Sequence, residues 1–336
     1  MKYVTIKDIA NNLGISKSTV SRALNGDEKN VKKETLKKIL STAQQMGYKK
    51  NTLAVNLRMK STRTIGIIVP EMTTPFYMNF ISSAQNWLNE QGYRVILALS
   101  DESIEAERIN LLMFEDYRVE GIIISVCHDK ANLEIYQKFL NQNIPLVFFD
   151  RTIATLPVPK IKINDYIQSC FMVEHLIRVG CRKIVHLAGP QYIPNAIERK
   201  KGYKDTLEKF HIIFHDTLIM EIGVGVEDGA KAIETLLLMN IEFDAIFCFT
   251  EMQALGAKRS LQEHGFKIPN DVAISCMSGT SLSTLVHPAL TAVEQPIAKM
   301  AETAGRLIID KINNPTLKDE TIILESEMFI RGSSKK

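Results

Sequence analysis

The chain has 336 residues, of which 45% are hydrophobic and 24% charged, with a net charge of +3. That length suits two or three globular units, and no apolar run approaches the 18 or more residues of a membrane span, so no membrane partner is expected. Charged Lys7 and Asp8 stand where a secretion signal would be greasy, which places the expected site of action in the cytoplasm.

The five cysteines, Cys127, Cys170, Cys181, Cys248 and Cys276, are scattered and form no Cys-x-x-Cys motif, so they read as buried apolar residues in a reducing compartment. His211 and His215 have a metal-like spacing but no cysteine or acid placed to complete a site. The charge is divided along the chain. Residues 1–60 carry thirteen Lys or Arg against four acids, a net +9, and the remaining residues carry −6. A basic module on an acidic body points to a polyanion partner for the module alone.

In chain order, the first elements are helices. Thr5 caps an expected helix at Ile6–Asn12, with Asp8 completing a short-armed capping box. Leu13-Gly14-Ile15 is a tight turn, Ser16 caps a second helix over Lys17–Leu24, and a third runs from about Lys33 to Met46 with Gly47 at its end. Beyond Arg63 the texture alternates. Strands are expected at Ile65–Val69, Tyr93–Leu99, Gly121–Ser125 and Leu146–Phe149, with helices at Phe76–Gln91, Ile104–Asp116 and Ala131–Asn141. A second series has strands at Lys183–Ala188, Ala245–Phe249 and Val272–Cys276. Its helices fall near Asp165–Val179, Ala196–Lys209, Glu227–Met239 and Met252–His264. Continuous apolar strands alternating with helices imply parallel sheets covered on both faces. Two such series imply two Rossmann-like α/β lobes with a cleft between them, behind an all-helical N-terminal domain.

Helix, glycine turn and helix within Thr5–Asn25 have the length of a helix-turn-helix. Ile6, Ile9, Ala10, Leu13, Ile15, Val20 and Leu24 can form its core. Lys17, Ser18, Ser21, Arg22 and Asn25 are left on the outward face of the second helix, where short polar groups and cations suit base edges and phosphates. An ordinary capped helical hairpin is the alternative.

The run Thr5-Ile-Lys-Asp-Ile-Ala-Asn-Asn-Leu-Gly-Ile-Ser-Lys-Ser-Thr-Val-Ser-Arg-Ala-Leu-Asn-Gly26 closely resembles the signature of the lac repressor (LacI/GalR) family. The resemblance continues through Thr64-Ile-Gly-Ile-Ile-Val-Pro70, Pro75-Phe-Tyr77, Asp150-Arg151, Arg199-x-x-Gly202-Tyr203, Ile268-Pro-Asn-Asp-Val272 and Glu294-Gln-Pro296, across essentially the whole chain. It implies a helix-turn-helix domain over residues 1–50, a hinge helix over 51–62 and a periplasmic-binding-protein-like core. One core lobe would comprise 63–164 plus about 291–325, the other 165–290 plus about 326–336.

The function implied is sequence-specific, effector-controlled transcription regulation, as a repressor, by a homodimer on palindromic double-stranded operator DNA in the nucleoid. It implies no enzyme and no cofactor. By the same resemblance Lys17, Ser18 and Arg22 read bases. Ser16, Thr19, Ser21 and Asn25 contact phosphates or position the helix, and Thr5 caps the first helix. Leu57 is the apolar wedge of the hinge; packing on the core is its other reading.

Phe76 and Tyr77 begin the first cleft helix, and Ser125 and Asp150 end strands where open α/β sheets bind ligands. The resemblance makes Arg199 the effector clamp, with Val224 and Thr250 as further contacts. Asp150 could instead pair with Arg151, Phe76 and Tyr77 could be core, and Arg199 could be a surface charge. Cys276-Met-Ser-Gly279 departs from the family, because Ser278 stands where most relatives carry an effector-binding aspartate. That exchange shifts the expectation from an ordinary sugar-like effector toward an anionic or differently oriented one. An α/β enzyme, or a solute-binding protein with a basic appendage, is the competing class. Gly223-Val-Gly225-Val-Glu-Asp-Gly229 is its nearest approach to a dinucleotide loop, with the wrong last interval.

Overall fold

The computed structural model describes residues 4–27, 30–48, 61–213 and 215–335, so Leu57 and most of the expected hinge lie outside the described residues. The chain divides into two units, Met1–Thr62 and Arg63–Lys336.

The first unit is helical: α1 (Ile6–Leu13), α2 (Lys17–Leu24) and α3 (Lys33–Gln45). Thr5 and Asp8 form the expected reciprocal box, with Thr5 N donating to Asp8 Oδ2 at 2.8 Å and Asp8 N donating to Thr5 Oγ1 at 3.3 Å. Gly14 ends α1 at φ 64°, in the left-handed region that glycine enters without penalty. Ile9, Ala10, Val20, Ala23, Val31, Ile39 and Ala43 close a small core. Val31 and the third-helix residues complete it, which a two-helix reading leaves out.

The second unit begins with β1 (Thr64–Val69), α4 (Pro75–Glu90), β2 (Arg94–Leu99), α5 (Ile104–Asp116), β3 (Gly121–Ile124), α6 (Leu133–Asn141), β4 (Leu146–Phe149) and β5 (Lys160–Lys162). It continues through α7 (Asp165–Arg178), β6 (Ile184–Ala188), α8 (Pro194–Lys209), β7 (Ile219–Glu221), α9 (Val226–Leu238), β8 (Ala245–Cys248) and α10 (Glu251–Glu263). The last elements are β9 (Ala273–Gly279), α11 (Leu282–Leu285), β10 (Thr291–Glu294), α12 (Ile297–Asn313), β11 (Thr321–Ile323) and β12 (Glu327–Phe329).

Two six-stranded sheets result, in the orders β11-β5-β4-β3-β1-β2 and β12-β10-β9-β8-β6-β7. Their pairs are parallel except for β10 with β12. The wholly buried β3, β4 and β8 explain the unbroken apolar runs of those strands. One apolar cluster runs from Ile65 and Phe80 of the first lobe to Tyr203 and Phe247 of the second.

The chain crosses between lobes later than the resemblance implies. Thr291–Glu294 pairs with β9 and belongs to the second sheet, so the return to the first lobe follows Glu294 and not residue 290. Thr291 is held there by its hydroxyl, which contacts Ser334 Oγ at 2.6 Å. The glycine-rich stretch before α9 also finds its reason in packing. A Cβ at Gly229 would lie 2.1 Å from Gln253 O and one at Gly256 1.8 Å from Val226 O, so α9 and α10 meet backbone to backbone.

His186 lies buried in β6, its Nδ1 3.0 Å from Phe247 O and its ring stacked on Phe247 and Tyr203. Burial pushes its pKa down to about 4. The unfolded chain therefore takes up this proton first, and stability present above pH 6.5 is lost as the pH falls toward 4. The loss from this group amounts to about 3 kcal/mol. Urea unfolding at pH 7.5, 5.5 and 4 should show a shallower pH dependence in His186→Phe, which keeps the ring stacks, than in the wild-type protein.

Candidate functional site

In the first unit, α2 presents two unlike faces. Val20 and Ala23 are buried, Thr19, Ser21 and Leu24 half-buried, and Lys17, Ser18, Arg22 and Asn25 exposed. Ser16 caps the helix, accepting from Thr19 N at 3.1 Å, and its hydroxyl meets those of Ser18 and Thr19, each at 2.8 Å. Asn25 Nδ2 donates to Ser21 Oγ at 3.4 Å. Ser16, Thr19 and Ser21 are thus engaged in holding the helix. Lys17 and Arg22 reach outward as cations from a helix whose opposite side is fixed in the core.

In the second unit, the carboxyl ends of β1, β4, β8 and β9 and the first turns of α4, α8 and α10 surround a cleft open to solvent. Its lining includes Phe76, Tyr77, Asp150, Arg199, Val224, Thr250 and Ser278 from the sequence reading. Glu71, Asn195, Phe249 and Glu251 join them without having been anticipated. Ser125 is not in the lining. It lies fully buried behind Tyr77, whose hydroxyl is 3.1 Å from its Oγ.

Asp150 does not pair with Arg151. Its Oδ2 accepts from the Tyr77 hydroxyl at 2.8 Å and its Oδ1 from Asn195 Nδ2 at 2.9 Å, the latter bond crossing from lobe to lobe. Arg151 turns away to Glu102 at 2.8 Å. Burial raises the Tyr77 pKa well above the ordinary phenol value, so the hydroxyl stays protonated and donates. A second cross-lobe contact stacks His128 on Tyr192, ring centroids 5.5 Å apart.

Arg199 is not a surface charge, being only 2% exposed. Its Nε and Nη2 reach Asp165 Oδ1, each at 2.7 Å, and Nη1 donates to Phe249 O at 2.6 Å. The guanidinium also lies 4.5 Å over the Phe249 ring and makes a long 3.4 Å approach to Ser278 Oγ. Ser278 in turn accepts from Gln295 Nε2 at 3.1 Å. Asp150 and Ser278 both hold positive φ, 55° and 58°. Left-handed backbone is costly for a residue with a Cβ, and such strain concentrates where side chains must be aimed.

Glu71 and Glu251 are buried acids that organise the rim. Glu71 accepts from Thr73 and Thr74 at the start of α4, and Glu251 from Thr280 N at 2.9 Å and Thr280 Oγ1 at 2.6 Å. Thr250 spends its hydroxyl locally, donating to Val224 O at 2.8 Å and capping Gln253 N at 3.1 Å. Their position just after strand ends is the signal that could have singled out both acids.

A helical DNA-reader hairpin ahead of a two-lobed, cleft-bearing core defines the class of a ligand-responsive regulator. Comparison with known proteins agrees. Residues 5–51 match the family described as bacterial regulatory proteins, lacI family, and residues 62–328 match the periplasmic binding proteins and sugar binding domain of LacI family. The catabolite control protein A of Priestia megaterium is 32% identical over 334 residues, covering 99% of each chain. A ribose operon repressor of Halalkalibacterium halodurans is 28% identical, covering 98% of this chain and 97% of its own. The crystal structure of the lac repressor dimer bound to operator and the anti-inducer ONPF shares the fold with a TM-score of 0.87, at 22% identity over 99% of both chains. The chain belongs to the lacI family of bacterial regulatory proteins, and is a transcription regulator rather than an enzyme. Among the described residues, no helix is long and apolar enough to cross a membrane.

The Arg199–Asp165 pair carries a stability consequence. Burial raises the Asp165 pKa above the ordinary carboxylate value, and the Arg199 guanidinium opposes that rise. Removing one member of such a pair leaves an uncompensated buried charge. Asp165→Asn should therefore cost about 3–5 kcal/mol in chemical unfolding of the second unit.

Proposed function

We propose that this chain is a repressor that acts as a homodimer on palindromic operator DNA in the cytoplasm and whose operator affinity is set by a sugar-like effector in the cleft. Residues 1–50 are the reader, 51–62 the hinge and the remainder the sensor. The observation that carries the reading is the division of α2 into a buried apolar face and an outward face of Lys17, Ser18, Arg22 and Asn25. One such helix spans only a few base pairs, so specificity calls for a symmetric pair. Lys17, Ser18 and Arg22 are assigned to base edges. Ser16, Thr19, Ser21 and Asn25 are assigned to phosphates and helix placement, with Thr5 fixing α1 and Leu57 the minor-groove wedge.

For the effector, Phe76 and Tyr77 supply ring faces, Asp150 acceptors and Arg199 donors, with Val224, Thr250 and Ser278 on the far wall. Ser125 acts through Tyr77 and makes no direct contact in this assignment. The names of similar proteins fit an effector of this kind: one neighbouring solved structure is of a transcriptional regulator–cellobiose complex, and another is the crystal structure of a LacI family transcriptional regulator from Enterococcus faecium with bound ribose.

Selection of duplexes from a random pool with the full chain should return a palindrome. On that duplex Arg22→Ala should lose about 1–3 kcal/mol of binding while affinity for random DNA changes by one charge's worth of salt dependence. Equal losses on both would assign Arg22 to phosphate alone. Leu57→Ala should reduce the bend of the operator, read by energy transfer between labelled duplex ends, because a leucine wedge opens a base step. An unchanged bend would remove Leu57 from the interface.

A further inference from the structure

We propose that the first lobe carries a second small-molecule site, away from the cleft, that takes a carboxylic acid built on a single aromatic ring, its carboxylate on Lys311 and its ring among prolines.

The site lies at the amino end of β4, opposite the end that carries Asp150 into the cleft. It is a cavity of about 140 Å³ enclosed by three loops: the turn between α6 and β4, the approach to β5 and the segment that follows α12. It shares no lining residue with the cleft. Pro145, Pro157, Pro159 and Pro315 contribute to its walls. A proline has a fixed φ and no backbone N–H, so such walls are stiff and hold no donor that an apolar ligand would leave unsatisfied. Leu140, Leu146 and Val158 add aliphatic surface. An apolar void of roughly 150 Å³ accepts benzene, so the space suits one ring and not a fused pair.

The polar end is Lys311. Met300, Ala304, Ile308 and Lys311 follow one another along the buried face of α12, so a lysine ends the row where an aliphatic residue would pack. Its ammonium donates to Leu317 O and pairs with Asp319 Oδ1 at 2.7 Å. These contacts use two of its three donors and leave the third for an acceptor in the cavity. Lys160 stands behind the same wall, donating to Leu156 O at 2.6 Å and to Val158 O at 3.2 Å. Burial lowers the Lys160 pKa; Asp319 opposes the shift and Lys162 adds to it. Two poorly hydrated ammoniums thus share one carboxylate, and the site is short of a negative charge. A ligand carboxylate supplies that charge through a charge-assisted hydrogen bond to Lys311, which a neutral or cationic ring cannot do.

The test titrates the full-length protein with benzoate, phenylacetate, benzyl alcohol and benzylamine, read by calorimetry. One of the two carboxylates should bind with a dissociation constant of about 1 mM or below, and the alcohol and amine at least about tenfold more weakly, the worth of one charge-assisted hydrogen bond. Lys311→Met, which keeps an aliphatic stem, should weaken carboxylate binding by a similar factor. Leu140→Trp, which puts an indole into the cavity, should abolish it. Asp150→Asn alters the cleft and should leave it unchanged. No saturable binding of either carboxylate, or benzyl alcohol binding as tightly as benzoate, would overturn the proposal. So would carboxylate affinity that is unchanged in Lys311→Met, or lost in Asp150→Asn, which would put the ligand in the cleft. Should Lys311→Met fail to fold, benzoate against benzyl alcohol on the wild-type protein, together with Leu140→Trp, decides the same question.

Discussion

The buried ion pair between Arg199 and Asp165 is the constraint on which the second lobe's side of the cleft depends. A guanidinium with 2% exposure is tolerable only where its charge is matched and most of its donors are used. Asp165 at the start of α7, Phe249 O at the end of β8 and the aromatic face of Phe249 meet that demand. The pair therefore ties α7, α8 and the β8 terminus to one geometry. The residues that face the ligand space, Asn195 one turn before Arg199 and Ser278 beside it, inherit their positions from it.

The first lobe answers with a smaller network. Tyr77 bridges Ser125 and Asp150, and Asp150 reaches Asn195 on the opposite lobe. Because Asp150 is held from both sides, a ligand that competes for it bears directly on how the lobes meet. That is the arrangement an effector needs if it is to favour one lobe geometry over another, since only differential contacts shift a conformational equilibrium. The reader has a simpler requirement, a mini-core rigid enough to aim two cations and a few hydroxyls. The capping box at Thr5, the left-handed Gly14 and the Ser16 cap supply it at the ends of two short helices.

Much of this was legible in the residues themselves. Buried parallel strands announce themselves as Ile65–Val69 or Ala245–Phe249 because no polar face interrupts them. The three-residue strands at 160–162, 219–221, 321–323 and 327–329 are too short to carry a period, and depend on partners far along the chain. Arg199 looked ambiguous inside Ile-Glu-Arg-Lys-Lys because its burial is decided elsewhere. A Cβ at Gly202 would lie 2.6 Å from Tyr166 O, so α8 presses against α7 on that side. Asn195, Arg199, Gly202, Tyr203 and Thr206 share that buried face at helical spacing, a signal present in the sequence once Gly202 is understood. The partner of Arg151 was not legible. Glu102 lies in a loop 49 residues away, and only the fold brings the two together.

Control of the reader by occupancy of the cleft is read most directly by fluorescence anisotropy of the selected palindromic duplex, titrated with full-length protein with and without a saturating ligand retained by the cleft. The two operator dissociation constants should differ by about 5- to 150-fold, the usual range of coupling between two sites. Identical constants, with the ligand shown to be bound, would contradict it.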